Sequence, residues 1–208
     1  PSTGDDKATQ EKALTSTMMT NIEAFNPTTN AAGAKPLLET ANSMISLLGN
    51  LSVTEARSVS KNILKLIKST TIDTSDKGTV KTVVKGFETF GQATKTGGLD
   101  ADGITNFESA ITSFFGSFDT KTSRMLQTQP QAKIIQGMIP KKGSDSVVQL
   151  EQTDCLSIAN TVSKIVEGIE NNKDQITIAE YEKAKKLTSI TLDKLLKACI
   201  NSLSSDQA

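Results

Sequence analysis

Residues 37–69, LLETANSMISLLGNLSVTEARSVSKNILKLIKS, decide the fold. Leu38, Ala41, Met44, Ile45 and Leu48 fall at i, i+3, i+6, i+7 and i+10, with Glu39, Thr40, Asn42 and Ser46 on the other side, which is one apolar stripe of a helix. That helix is expected to end near Gly49. Ser52-x-x-Glu55 reads as a capping box, so a second helix starts there, with Ala56, Val59, Ile63, Leu66 and Ile67 as its stripe. So short a connection folds the two helices antiparallel, and each stripe keeps an uncovered flank that only further helices can close.

Working upstream, Leu14, Met18, Ile22 and Phe25 predict a leading helix stopped by Asn26-Pro27, since proline disfavours a helical residue before it. Residues 1–8 read as a flexible tail, residues 28–35 as a linker, and Pro36 as a first-turn proline. Downstream, Val80, Val83, Val84 and Phe87 predict a helix ending at the pair Gly97 and Gly98. Its partner carries Phe107, Ala110, Ile111, Phe114, Phe115 and Phe118; with Phe87 and Phe90 this hairpin holds six of the seven phenylalanines and is the expected centre of the core. Residues 9–118 thus make a leading helix plus two hairpins. Residues 119–154 read as an irregular connection with short helices, including the patch Ile134, Ile135, Met138 and Ile139. Residues 155–203 form a C-terminal hairpin, with Leu156, Ala159, Val162, Val166 and Ile169 on one helix. After the turn NNKDQ, the capping box Thr177-x-x-Glu180 opens a last helix lined by Ile178, Tyr181, Ala184, Thr188, Leu192, Leu195 and Cys199. Residues 204–208 are a tail.

The cadence repeats. LETANSMISLLGN and LSIANTVSKIVEG share Leu, Ala and Asn in register, and LSVTEA, LDADGI and ITIAEY each open a second helix, from Leu51, Leu99 and Ile176. Spacings of 48 and 77 residues are unequal, so duplication predicts a degenerate hairpin repeat rather than a solenoid of fixed period; chance likeness among amphipathic helices is the other reading. The expected fold is all-α, a bundle of antiparallel hairpins with seven to nine helices, in one compact domain or a tightly packed pair.

Composition narrows the function. Lys plus Arg and Asp plus Glu stand at 23 each, so no net field draws nucleic acid or anionic lipid, and no run of apolar residues is long enough to span a membrane. The chain opens without methionine, which suggests a trimmed or mature form. It contains no histidine, which removes the commonest general base, the Ser-His and Cys-His pairs and the usual nitrogen ligand of zinc, copper or haem. No glycine-rich phosphate loop occurs. Asp73 with Asp76, and Asp100 with Asp102, are carboxylate pairs in expected loops, where turn and cap roles suit them.

Three features carry residual chemistry. Asp100-x-Asp102-Gly103 invites a calcium loop, but with Gly103 at position six the end ligands would be Gly98 and Ser109, so a helix start with acids at the positive end of its dipole is preferred. Asn50-Leu51-Ser52 is an N-glycosylation sequon at the opening hairpin's turn. Cys155 and Cys199 flank the last hairpin and invite a disulfide. If Ile169 faces Thr177, Cys155 faces about Thr191 and Cys199 lies on the order of 12 Å further on. Bonding needs Cα atoms within about 7 Å, hence a Cys155 in a lead-in segment that reaches past the helix start; bonded and free thiols both stay open.

GGLDADGITNFESAI, residues 97–111, resembles the hairpin element in the helical repeat units of spider silk proteins of the aciniform type, over about 25 residues with its flanks. The resemblance implies a helical unit of similar length with a structural role. Those units are rich in Ala and Ser with few charges, whereas this chain is 22% charged. The hairpin cadence also resembles the helical part of the domains that precede self-cleavage sites in adhesion receptors, though the His-containing cleavage motif of that family is missing. The sequence as a whole points to a non-enzymatic extracellular or cell-surface domain with no cofactor, a structural or protein-interaction role, and protein partners or further copies of itself. Two alternatives are a helical carrier with an apolar core cavity and a calcium-stabilised surface module.

Overall fold

The computed structural model describes residues 3–127 and 150–203, and the described residues form seven α-helices with three short 3₁₀ turns and no strand. The helices are α1 (Thr3–Glu23), α2 (Ala34–Ser43), α3 (Val53–Ser69), α4 (Lys77–Gly97), α5 (Ala101–Gln127), α6 (Gln152–Asn171) and α7 (Ile178–Leu203). The chain is all-α. Hairpins α2–α3, α4–α5 and α6–α7 follow the leading helix, in the order expected.

Each second helix of a hairpin starts on a side-chain cap. The Ser52 hydroxyl accepts the Glu55 N–H at 3.3 Å while Glu55 takes the Ser52 N–H at 2.9 Å, which is the capping box reciprocated. Asp100 accepts the Gly103 N–H at 2.9 Å, and Thr177 with Glu180 repeats the box. The α4–α5 turn is sharp because Gly98 sits at φ 68°, a left-handed conformation that glycine adopts without strain.

Three boundaries differ from expectation. Helix α2 ends at Ser43 and the chain goes on as a 3₁₀ turn over Ile45–Asn50, rather than staying α-helical to near Gly49. Helix α1 begins at Thr3, so the expected tail over residues 1–8 is largely helical; a Lys7–Glu11 pair one turn apart at 3.6 Å supports it. Helix α5 continues to Gln127 and α6 begins at Gln152, so both ends of the expected irregular connection 119–154 belong to helices. The weakening apolar pattern after Phe118 is no breaker; the first proline comes only at position 130. The patch Ile134, Ile135, Met138 and Ile139, most of that connection and the tail 204–208 lie outside the described residues.

Helix α4 is central, packing on α2, α3 and α6, while α7 closes against α5 and α6. Its glycines are the crossing points. A Cβ on Gly86 would meet Leu38 and Ile67, one on Gly91 would meet Thr161, and one on Gly97 would lie 2.7 Å from the Arg57 backbone nitrogen. From the other side, a Cβ on Gly168 of α6 would stand 2.1 Å from the Thr94 carbonyl oxygen. Small residues therefore let α4 and α6 backbones approach at two levels. Between the helices Phe87, Phe90, Phe107 and Phe114 are fully buried. Phe87 and Phe114 meet edge to face at 5.4 Å and Phe90 stacks on Phe107 at 5.1 Å. The middle hairpin is the aromatic centre of the core, as its sequence predicts.

Candidate functional site

The apolar surface of the molecule is unevenly placed. Among the described residues eight large hydrophobic side chains are exposed, and six of them, Leu156, Val166, Ile178, Ile190, Leu192 and Leu196, lie on α6 and α7. Four of these six were expected in the core: Leu156 is 59% exposed, Val166 and Leu192 41% each, and Ile178 84%. The physical reason is that α6 and α7 carry apolar residues over more of their circumference than one core contact can cover. Helix α6 buries Cys155, Ile158, Val162, Ile165 and Ile169, and the leading-edge residues Leu156 and Val166 are left outside. In α1 the same excess leaves Leu14 exposed, against its assignment to the buried stripe.

Two links fix how α6 and α7 lie side by side. Cys155 and Cys199 are disulfide-bonded with Cα atoms 6.1 Å apart. At the other end the Tyr181 hydroxyl donates to Glu170 at 2.6 Å. The expectation of a 12 Å offset, and of a Cys155 ahead of its helix, is corrected: Cys155 is inside α6. The six residues between Asn171 and Ile178, with a 3₁₀ turn at Lys173–Gln175, carry the chain past the end of α6 before α7 begins. That overshoot takes up the extra length of α7. Counting along both helices from these two links puts Leu156 level with Leu196, Ala159 with Leu192, Ser163 with Ser189, and Val166 with Lys185. Between Val166, Ile169 and Glu170 on α6 and Glu182, Lys185, Lys186, Thr188 and Ser189 on α7 lies a shallow cleft of about 300 Å³.

The carboxylate candidates take structural roles. Asp100 caps α5 and binds the Lys61 ammonium at 2.8 Å, while Asp102 lies 3.8 Å from the same nitrogen. Both carboxylates of the candidate calcium loop thus face the Lys61 ammonium. Burial alone would push the Asp100 carboxyl up, but the Lys61 and Gly103 hydrogen bonds outweigh it and hold it below the usual carboxylate range. Asp76 caps α4 through Gly78 N–H, and hydrogen bonds from Thr79 bring its carboxyl down to about 2. Asp73 accepts the Ser75 N–H and hydroxyl within one turn. Asn50 ends the 3₁₀ turn Ile45–Asn50, two residues ahead of the exposed cap Ser52. The phenylalanines of the middle hairpin, which could line the cavity of a carrier, are in contact with one another.

One cluster had no signal in the sequence. At the end of the bundle where the three hairpin turns meet, Arg57 Nε–H donates to the Gly97 carbonyl at 2.6 Å and its Nη2 donates to Gln175 Oε1 at 2.6 Å. Buried Asn172 donates to the Gly168 carbonyl at 3.0 Å and packs under Gly98. Arg57 therefore ties α3 to both the other turns, an arrangement that only the folded topology could bring together.

No known family model, curated protein or solved structure matches this chain. Among the described residues no group of three or more Cys, Asp or Glu is placed to hold a metal ion, and no helix is long and apolar enough to cross a membrane.

Proposed function

We propose that the protein is a non-enzymatic, extracellular or surface-exposed helical domain that works by protein contact, and that the outer face of α6 and α7 is where contact is made. The observation that carries the reading is the concentration of exposed large apolar side chains on this one hairpin. Exposed apolar side chains gathered on one pair of helices suit a contact surface, since contiguous apolar patches on isolated domains mark interaction sites. The Cys155–Cys199 bond supports an oxidising compartment and holds the presenting hairpin closed at its open end. The Asn50 sequon fits the same compartment.

Two measurements test it. A photo-crosslinking side chain at position 196 should yield discrete protein adducts in the fluid or on the surface where the chain resides, and one at exposed Thr112 of α5 should not; equal labelling at both would overturn the reading. Titration with a fatty acid or a polarity-sensitive dye should give no one-to-one saturation, since a saturating site would make the protein a carrier.

A further inference from the structure

Resting on the reading of an extracellular or surface-exposed chain, we infer that Asn50 carries an N-linked glycan and that the sugar is attached before α3 forms. The chain has eleven asparagines, and only Asn50 heads the Asn-x-Ser/Thr triplet that N-glycosylation requires. Seven of the other ten lie within α-helices, whereas this one ends the 3₁₀ turn Ile45–Asn50 at the bend of the first hairpin. The two residues after it are extended, Leu51 at φ −79° and ψ 147° and Ser52 at φ −65° and ψ 161°. Residues 52–55 are exposed, so the chain leaving the acceptor runs over open surface, where a bulky, solubilising sugar is tolerated.

The order of events follows from what the folded chain does with the same triplet. A sequon is read through the hydroxyl two residues past the asparagine. Here that hydroxyl is the N-cap of α3: it donates its only proton to Glu55 at 2.7 Å and accepts the Glu55 N–H at 3.3 Å. Leu51, the middle residue, packs partly buried against the core. A transferase drawing the triplet into its own groove would have to strip the cap and lift Leu51 out, so the folded chain is a poor acceptor and the unfolded chain a good one. In the transfer the Asn50 side-chain amide nitrogen bonds to C1 of the first sugar of a lipid-diphosphate-linked oligosaccharide. The C1–O bond to the diphosphate breaks, and the amide gives up one proton as the lipid diphosphate leaves. Folding then closes the capping box beside the sugar. The position also leaves the contact face open. Arg57, five residues past Ser52, binds the α4–α5 and α6–α7 turns, so Asn50 lies at the turn end of the bundle. Leu156 and Leu196 lie one and three residues from the bonded cysteines, at the other end of α6, a helix of 20 residues and about 30 Å.

The test is mass spectrometry of the intact chain from its natural source, with free thiols blocked first. The expected species is disulfide-bonded and heavier than its polypeptide by one glycan, and a glycan-releasing amidase should remove the excess and convert position 50 to aspartate. Bonded cysteines without a glycan overturn this inference alone; free thiols without a glycan overturn the extracellular reading with it. Secreted from a eukaryotic cell behind a leader, wild type and Ser52→Thr should carry the sugar, and Asn50→Gln and Ser52→Asp should lose it. Ser52→Asp keeps a capping oxygen for α3, so its loss of the sugar reports the sequon rather than the fold. A wild type secreted bare, or Asn50→Gln secreted with the glycan, overturns the site. The order is tested with a solubilised transferase and its lipid-linked donor. These should modify the Asn50 peptide in a tryptic digest and leave the folded, unglycosylated chain unmodified; equal modification of both overturns the claim that the sugar precedes α3.

Discussion

Gly168 shows how a single atom sets the spacing of two helices. A methyl group there would stand 2.1 Å from the Thr94 carbonyl oxygen and 2.7 Å from its carbon, both backbone, so α4 and α6 would have to separate. Gly168→Ala should cost about 2 kcal/mol or more, at the level of other overpacked cores. Gly116 is the opposite case, with nothing within 4 Å of its added Cβ in the middle of α5. Gly116→Ala should therefore stabilise by about 0.5 to 1 kcal/mol, and urea melts that gave both variants the same sign would refute this packing. Phe114→Ala should cost about 3 to 5 kcal/mol, because its ring is fully buried against Phe87, Phe115 and Phe118. The phenylalanine was legible from spacing alone, the glycine was not: periodicity locates a buried face but does not name the atom opposite. Asp100 adds a pH dependence with a definite sign. Its folded carboxyl titrates below the unfolded one, so its stabilising effect is complete above the unfolded range and is lost as pH falls through the folded pKa. Asp100→Asn should flatten the acid limb of a stability-against-pH curve, and an unchanged limb would show that the Lys61 contact contributes nothing.

Helices were legible as elements, and so were the buried faces of α3, α4 and α5; those of α6 and α7 were misjudged in part. The starts of α3 and α7 were written in their capping boxes, and that of α5 in its acidic residues and preceding glycines, all local chemistry. Which side of α6 turns inward was not local. Leu156, Ala159, Val162, Val166 and Ile169 make as good a stripe as the one that Cys155, Ile158, Val162, Ile165 and Ile169 bury, and the choice is made by α4, through Gly91 against Thr161 and Gly168 against Thr94. The apolar residues left over became the candidate contact surface, which is why the site could not be read before the fold. The disulfide is the other element-scale outcome. It closes a loop with a sequence separation of 44, and the chain-entropy relation assigns it about 4 kcal/mol. Reduction, or Cys155→Ser with Cys199→Ser, should lower the melting temperature accordingly and raise hydrogen exchange first in the last turns of α7. Exchange unchanged in α7 would mean that the bond is ornamental to a hairpin already fixed by packing.

The three hairpins behave as one cooperative body if their contacts are as shared as the structure has them. Helix α4 belongs to the second hairpin yet packs on helices of the first and the third, and Arg57 of the first binds the turns of the other two. No hairpin can leave without stripping a face from α4 and breaking hydrogen bonds to a charged group, worth about 1.5 to 3 kcal/mol each. The chain supplies its own probe for this, since it has a single tyrosine and no tryptophan. Tyr181 sits on α7 with its hydroxyl on Glu170 of α6, so tyrosine fluorescence reports the third hairpin alone while far-ultraviolet circular dichroism reports every helix. In urea the two curves should coincide, with the same midpoint and the same slope, as a two-state unit demands. Arg57→Ala removes the tie between turns but leaves the α4–α6 packing, so it should lower the common midpoint and keep the curves together. If the tyrosine transition instead came at lower urea than the helical one in wild type, the α6–α7 hairpin would be a separately folding unit. The buried approach of Gly168 to Thr94 would then be holding less than its geometry implies.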